Sequence, residues 1–252
     1  LAYLSGGVTG LLFDALLDNH GIEKERFEIA GSVRISYVVK EMRTGLEYRF
    51  VPEGPEVQST EIQPLMNYLE KFGGKYLVAS GSLPRGLPSS SYVQMADIAK
   101  KTGTRFVLDS SGEALREAFD SGGIYLAKPS RHEMEVFIGH ELDVKSLGEA
   151  ALELLSKGTV QNLVISLGAD GALLANSDGI VQVPSILVET QSAVGAGDSF
   201  VGAMIWHLSQ GNTIDAAFRY GVAAGCAAVL TTGTELCRRA DVDAFFKKIQ
   251  SI

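Results

Sequence analysis

Residues 191–200 read QSAVGAGDSF, which sets Gly195, Ala196 and Gly197 directly before Asp198. The pattern that follows predicts a helix starting there. The first turn of a helix carries amide N–H groups without intrahelical partners and the positive end of the macrodipole. Side chains this small leave those amides bare, so they can hold an anion such as a phosphoryl group in transfer. A carboxylate beside that hole, here Asp198, can take the proton of an attacking hydroxyl. The same spacing also suits a glycine-rich turn with an ordinary helix-start aspartate, and spacing by itself does not separate the two.

Further chemistry-bearing residues follow apolar runs. In SGSLPRG (80–86), Gly81 and Ser82 offer close backbone and a hydroxyl. Arg85 brings a permanent charge that can fork onto phosphate or simply stay solvated in a turn. Arg34 sits among apolar neighbours, as a phosphate clamp or as an edge-strand charge. Asp109 ends RFVLD and Lys128 ends IYLAK. Glu133, in KPSRHEM, falls one turn into a helix. It can hold Mg²⁺ through water, or merely complement the helix dipole; Asp109 has the same two readings. SLGADGALL (166–174) is either a plain hairpin or a loop whose glycines admit a flat base and phosphates. No GxxxxGK[ST] occurs, so a P-loop is absent. GAGD is not GxGxxG, and helix rather than an acid-tipped strand follows it. That disfavours an NAD-dependent oxidoreductase.

The elements that must position these groups follow from periodicity. Strands are expected at 1–7, 75–80, 105–109, 124–128 and 162–168. Helices are expected at 9–20, 59–72 (capped by Ser59 or Thr60), 89–102, 131–138, 145–157, 196–210, 213–231 and 240–250. Residues 171–189 read as short antiparallel strands. This alternation predicts an α/β fold with a mostly parallel central sheet flanked by helices. Ligands of such sheets bind beyond the carboxyl ends of the strands. That rule gathers Gly81, Ser82, Arg85, Asp109, Lys128, Glu133, Gly168, Gly171 and the GAGD turn into one layer. Residues 33–51 break the pattern. They alternate with period two around Thr44-Gly45, a hairpin with Val33, Ile35, Tyr37, Val39, Tyr48 and Phe50 spread over both faces. A hairpin cannot bury them alone, so it is expected to cover a site or a partner chain. The helix containing GVAAGCAAV is small-residued on several sides, for tight helix packing or for a ligand lying against it.

Bulk properties bound the function. The chain has 252 residues, 46% of them hydrophobic, and a net charge of −8. The size and composition suit one large α/β domain, and the acidity argues against nucleic acid as a partner. No apolar run reaches membrane-span length and no signal peptide is visible. Cys226 and Cys237 form neither CxxC nor zinc spacing and are expected to be reduced thiols of a cytoplasmic protein. His20, His132, His140 and His207 show no metal-ligand spacing.

Taken together, GAGDSFVGA (195–203), SGSLPRG, LDSSGEAL (108–115), KPSRHE, SLGADGAL and AAGCAAVLTTGTELC (223–237) resemble the ribokinase-like PfkB carbohydrate kinases, in that family's order. YRFVPEGPEV and SGEAL are similar to the phosphofructokinase branch, meaning the 6-phosphofructokinases of the minor, PfkB type, the 1-phosphofructokinases and the tagatose-6-phosphate kinases. The resemblance implies a ribokinase-like fold with a small β lid, in which residues 1–30 and 58–252 form the kinase core and 31–57 the lid. It implies ATP- and Mg²⁺-dependent phosphorylation of a sugar phosphate, fructose 6-phosphate first, with fructose 1-phosphate or tagatose 6-phosphate as alternatives. It assigns the base to Asp198 and the anion hole to Gly195, Ala196 and Gly197. Arg34, Gly81, Ser82 and Arg85 go to the sugar phosphate, and Lys128, Ser166, Gly168, Gly171 and Gly225 to the nucleotide. Asp109 and Glu133 go to Mg²⁺ through water. Ser192, Val194, Ala228, Thr231, Gly233 and Glu235 form a loop for a monovalent cation such as K⁺. Related kinases pair through their lids, so a homodimer is expected. Two departures stand out. The family's NxxE motif reads Ser130-Arg131-His132-Glu133, which removes the Asn amide from the metal surroundings. The family's substrate-binding Asp and GGxxxN stretch do not occur, so residues are expected before Leu1, and a chain lacking them is expected to be inactive. A non-catalytic sugar- or nucleotide-binding relative is the competing class. Retention of Asp198, Glu133 and the glycines speaks against it.

Overall fold

The run AYLS forms strand β1 (Ala2–Ser5), and helix α1 (Gly7–Asn19) follows it. Strand β2 (Glu25–Glu28) pairs in parallel with β1 in a two-stranded sheet. The hairpin follows as β3 (Tyr37–Lys40) and β4 (Glu47–Phe50), antiparallel with Tyr37 opposite Phe50. It is shorter than periodicity predicts. Extending its register would set Ile35 opposite Pro52, which has no N–H to give to a ladder. Arg34 therefore lies outside the strands. The distribution of its apolar groups also differs from expectation. Tyr37, Val39, Tyr48 and Phe50 form two cross-strand pairs and alternate in register, so all four share one face. The Tyr37 and Phe50 rings stack with centroids 5.4 Å apart, and the four side chains remain about half exposed (47–55%). Helix α2 (Ser59–Leu69) begins one residue earlier than the predicted caps allow. Gln58 is its N-cap, and the Glu61 carboxylate accepts from the Gln58 amide at 2.7 Å.

The structure is a computed structural model describing residues 1–251. It resolves into two units, Leu1–Phe72 with Leu83–Ser91, and Gly73–Ser82 with the chain from Tyr92 onward. The second unit holds β5 (Tyr76–Ser80), α3 (Ser91–Thr102), β6 (Arg105–Asp109), α4 (Gly112–Ser121), β7 (Ile124–Ala127), α5 (Arg131–Ile138), α6 (Val144–Ser156) and β8 (Val160–Ser166). It continues with β9 (Ala172–Asn176), β10 (Gly179–Val183), α7 (Ala196–Ser209), α8 (Ile214–Ala228) and α9 (Arg239–Ile249). Its six strands lie in the order β10-β9-β8-β7-β6-β5. β5 to β8 are parallel, and β9 and β10 join antiparallel, giving a mixed sheet. Val107, Leu108, Leu163, Val164 and Ile165 are wholly buried, as strands covered on both faces require.

Helix α4 is the one long element that periodicity missed. Ala114, Leu115, Ala118 and Phe119 make its buried stripe. The tight helix packing expected of GVAAGCAAV is present between α7 and α8. A Cβ on Gly221 would stand 2.7 Å from the Phe200 ring, so only glycine allows the two helices this separation. That packing fixes α7, and with it Asp198 at its first turn.

Candidate active site

Helix α7 starts on Gly195, whose φ of 79° is the left-handed conformation glycine adopts without strain. No side chain caps the turn. The Ala196 amide donates to the Ala193 carbonyl at 3.5 Å, which leaves the Gly197 and Asp198 amides at the helix start facing outward. Gly197 and Asp198 are both exposed.

A buried cation stands beside those amides. Lys128 follows β7, and its side chain is only 7% exposed. Its Nζ lies 3.2 Å from Asp109 Oδ1 at the end of β6, and 3.7 Å from where a Cβ on Gly197 would be. A Cβ at 197 would therefore be in ordinary contact with the ammonium, which places Lys128 against the start of α7. Burial pushes the Asp109 carboxyl above the usual carboxylate range. The Lys128 ammonium pulls it back, while the charges of Glu133 and Asp198 push it further up. Asp109, Lys128, Glu133 and Asp198 thus feel one another electrostatically. Three acids share one buried cation, so the group favours added positive charge or a polyanion's own counter-ion.

Glu133 is half committed to the fold. Its Oε2 accepts from the Ser130 amide at 2.6 Å and from Ser130 Oγ at 2.9 Å, while Ser130 Oγ accepts from the Glu133 amide at 3.2 Å. This is a capping box at the start of α5. Ser130 therefore serves as a cap where the family pattern has Asn. Among the described residues no group of three or more His, Cys, Asp or Glu could hold a metal ion. Asp109 and Glu133 consequently suit a Mg²⁺ that arrives with its own phosphate ligands, not a caged one.

From this point a cleft of about 440 Å³ runs between the β7–α5 and β8–β9 turns and the α7–α8 helices. Lys128, Ser166, Gly168, Gly171 and Gly225 all line it, as do Ala196 and Gly197. Gly171 is required by close approach: a Cβ there would lie 2.1 Å from the Val183 carbonyl oxygen, and its φ is +95°. Sequence patterns missed the cleft's apolar wall, formed by Ile186, Leu187, Val188, Phe200 and Cys226. The signal was present in SILVET, an apolar run after β10 that joins no strand and so has another surface to cover. Cys226 is buried and free, and its thiol, pushed up by burial, accepts from the Ile186 amide.

The loop after α8 has the donors expected for a monovalent cation. Ser192 and Thr231 are buried. Thr231 Oγ1 stands 2.7 Å from the Ala228 carbonyl oxygen and 2.6 Å from that of Glu235. One hydroxyl proton cannot serve both carbonyls at once. One hydroxyl and two carbonyl oxygens thus converge at this loop, a set that does not include Val194 or Gly233.

The remaining predicted groups are divided between the units. Gly81 and Ser82 follow β5 in the second unit, where the Gly81 amide donates to the Asp109 carbonyl at 2.8 Å. Arg34 and Arg85 belong to the first. Both reach the segment 52–54 there. Arg34 Nη1 is 3.5 Å from the Pro52 carbonyl, while Arg85 donates to the Gly54 carbonyl at 3.3 Å and pairs with Glu53 at 2.6 Å. Two exposed guanidinium groups thus bracket one short stretch of backbone.

The sequence matches the pfkB family carbohydrate kinase over residues 6–241. It is 39% identical over 247 residues to the ATP-dependent 6-phosphofructokinase isozyme 2 of Mycobacterium tuberculosis, covering 96% of this chain and 72% of the relative. It is 30% identical over 250 residues to the 1-phosphofructokinase of Borreliella burgdorferi, covering 97% and 78%. The fold superposes on phosphofructokinase-2 from Escherichia coli, solved in complex with potassium, with a TM-score of 0.94 at 35% identity, over 99% of this chain and 81% of the other. The ribokinase-like α/β fold is thereby established, and the chain belongs to the pfkB family of carbohydrate kinases.

Proposed function

We propose that the chain transfers the γ-phosphoryl group of ATP to a hydroxyl of a sugar phosphate, with fructose 6-phosphate as the preferred acceptor. One observation carries this reading. A buried lysine and an uncapped helix start meet at one end of a nucleotide-sized cleft, with an exposed aspartate in the same turn. Transfer of a phosphoryl group demands positioning and neutralisation of spreading negative charge more than covalent help. Of the helix start at Gly195, Ala196 and Gly197, the Gly197 amide, joined by that of Asp198 and by Lys128, supplies the fixed positive field, and Asp198 accepts the acceptor's proton. Mg²⁺, carried in with ATP, supplies charge neutralisation on the phosphates, with Asp109 and Glu133 holding its water shell. K⁺ on the Thr231 loop adds positive field behind α7, a reading supported by the potassium complex of the Escherichia coli relative. Arg34 and Arg85 are the groups of the first unit assigned to the phosphate already on the sugar, Gly81 and Ser82 those of the second, and residues 31–57 act as a lid. The Borreliella burgdorferi relative favours fructose 1-phosphate as the competing acceptor. The test is product analysis with ATP and each sugar phosphate in turn.

Four outcomes are expected. Asp198→Asn lowers kcat by roughly 10²–10⁴-fold, the usual contribution of a positioned general base, with ADP binding intact. A kcat within a few-fold of wild type removes Asp198 from this role. Arg34→Ala raises KM for the sugar phosphate about ten- to hundredfold, as loss of a charge-assisted hydrogen bond predicts, and leaves KM for ATP unchanged. Equal effects on both substrates would take Arg34 out of the acceptor site.

Lys128→Met strands Asp109 as a buried acid whose carboxyl is already pushed up. The folded variant then keeps the Asp109 proton at pH values where the unfolded chain has released it. Stability must therefore fall as pH rises from the ordinary carboxylate range through the new folded pKa. A deficit of about 3 kcal/mol at pH 8, mostly recovered near pH 4, is expected in unfolding experiments. A deficit independent of pH contradicts it. The single apolar face of the hairpin, half exposed at Tyr37, Val39, Tyr48 and Phe50, suits a second copy of itself. Light scattering at micromolar concentration should report a homodimer, and Tyr48→Glu should yield monomers. A wild-type monomer that is fully active reduces the hairpin to a flap.

A further inference from the structure

We infer that Arg131 is a ligand of the nucleotide's phosphates, held in reserve by Asp170. The inference deepens the kinase reading and rests on it. Arg131 opens α5 directly after Ser130, a residue of the cleft wall, and Asp170 lies on the turn whose neighbours Gly168, Ala169 and Gly171 also line the cleft. Neither Arg131 nor Asp170 lines the cleft itself, but each directly adjoins residues that do, and the pair joins the β7–α5 turn to the β8–β9 turn.

The pairing is thin. Arg131 Nη2 meets Asp170 Oδ2 at 3.5 Å, a single contact with a carboxylate side chain that is 64% exposed. Arg131 Nε is buried and has no hydrogen-bond partner. A guanidinium can donate five hydrogen bonds in a planar fork, and a buried donor left unpaired is costly. Arg131 is thus under-satisfied where it stands, and a phosphate oxygen is the acceptor its fork fits best.

The two halves differ in freedom. Asp170 rides on a fixed turn. The Leu167 amide donates to the Gly171 carbonyl at 2.8 Å, the Gly171 amide to the Gly168 carbonyl at 3.2 Å, and the Ser185 hydroxyl binds the Ala169 carbonyl. Arg131 has a long side chain, one-third exposed, whose guanidinium makes the one 3.5 Å contact, so it can turn to another acceptor without moving the backbone. An acid at the rim repels an incoming polyphosphate, and Arg131 neutralises it at rest. When a nucleoside di- or triphosphate enters, the guanidinium exchanges a solvated carboxylate for phosphate. The adenine and ribose play no part in this exchange, so its effect grows with the number of phosphates.

Calorimetric binding of ADP and of adenosine, with no sugar and no turnover, tests the inference. Arg131→Ala should weaken ADP about tenfold and adenosine less than twofold, and Arg131→Lys should fall between. Asp170→Asn, which removes the competitor and keeps the shape, should tighten ADP a few-fold. Opposite signs for the two variants are the signature. If both weaken ADP alike, the pair is only a strut between turns and the inference fails. It fails equally if Arg131→Ala binds ADP as wild type does, or loses adenosine in proportion. Wild-type protein that binds no ADP would overturn the kinase reading as well, whereas wild-type binding with unaltered variants overturns this inference alone.

Discussion

One ammonium group holds the site together. Lys128 is buried beside Asp109 and abuts the position where Gly197 has no side chain. Burying a lysine without compensation is expensive, and burying it against one carboxylate only repays part of that cost. The rest of the local architecture follows from this constraint. The parallel neighbours β6 and β7 must end in register for Asp109 and Lys128 to meet. Residue 197 lies against the ammonium, so its small size leaves the charge next to the helix start. Helix α7 must be fixed by its close packing on α8, or the amides would drift from the cation.

The electrostatics explain why such a site favours a nucleotide with its metal. Burial raises the Asp109 carboxyl, the buried Lys128 ammonium lowers it, and the charges of Glu133 and Asp198 add a smaller upward push. In the proposed reaction the metal of a magnesium nucleotide would relieve the acids, while the Gly197 and Asp198 amides and Lys128 would take its phosphates. Asp198 is the most exposed of the three and is the one proposed as the base.

Much of this was legible in the sequence, for definite reasons. Strands β5 to β8 are apolar on both faces, and their carboxyl ends carry Ser82, Asp109, Lys128 and Gly168 within a residue or two. The rule that ligands sit beyond strand ends was enough to gather them. Three things were not legible. Helix α4 begins inside the motif DSSGEAL, which reads as a loop until Phe119 completes its stripe. The hairpin ends where Pro52 cannot pair, and its apolar residues share one face, because alternation shows one strand and not its partner's register. The pairs Lys128–Asp109 and Arg131–Asp170 link residues about 20 and 40 positions apart, and nothing local marks them.

The most direct test of the central claim is a crystal structure with ADP and aluminium fluoride, a mimic of the phosphoryl group in flight. The fluoride centre should lie within hydrogen-bond reach of the Gly197 and Asp198 amides and of Lys128 Nζ, with the Asp198 carboxylate facing the acceptor side. An ADP whose β-phosphate lies away from α7, with Lys128 still turned wholly to Asp109, would contradict the account.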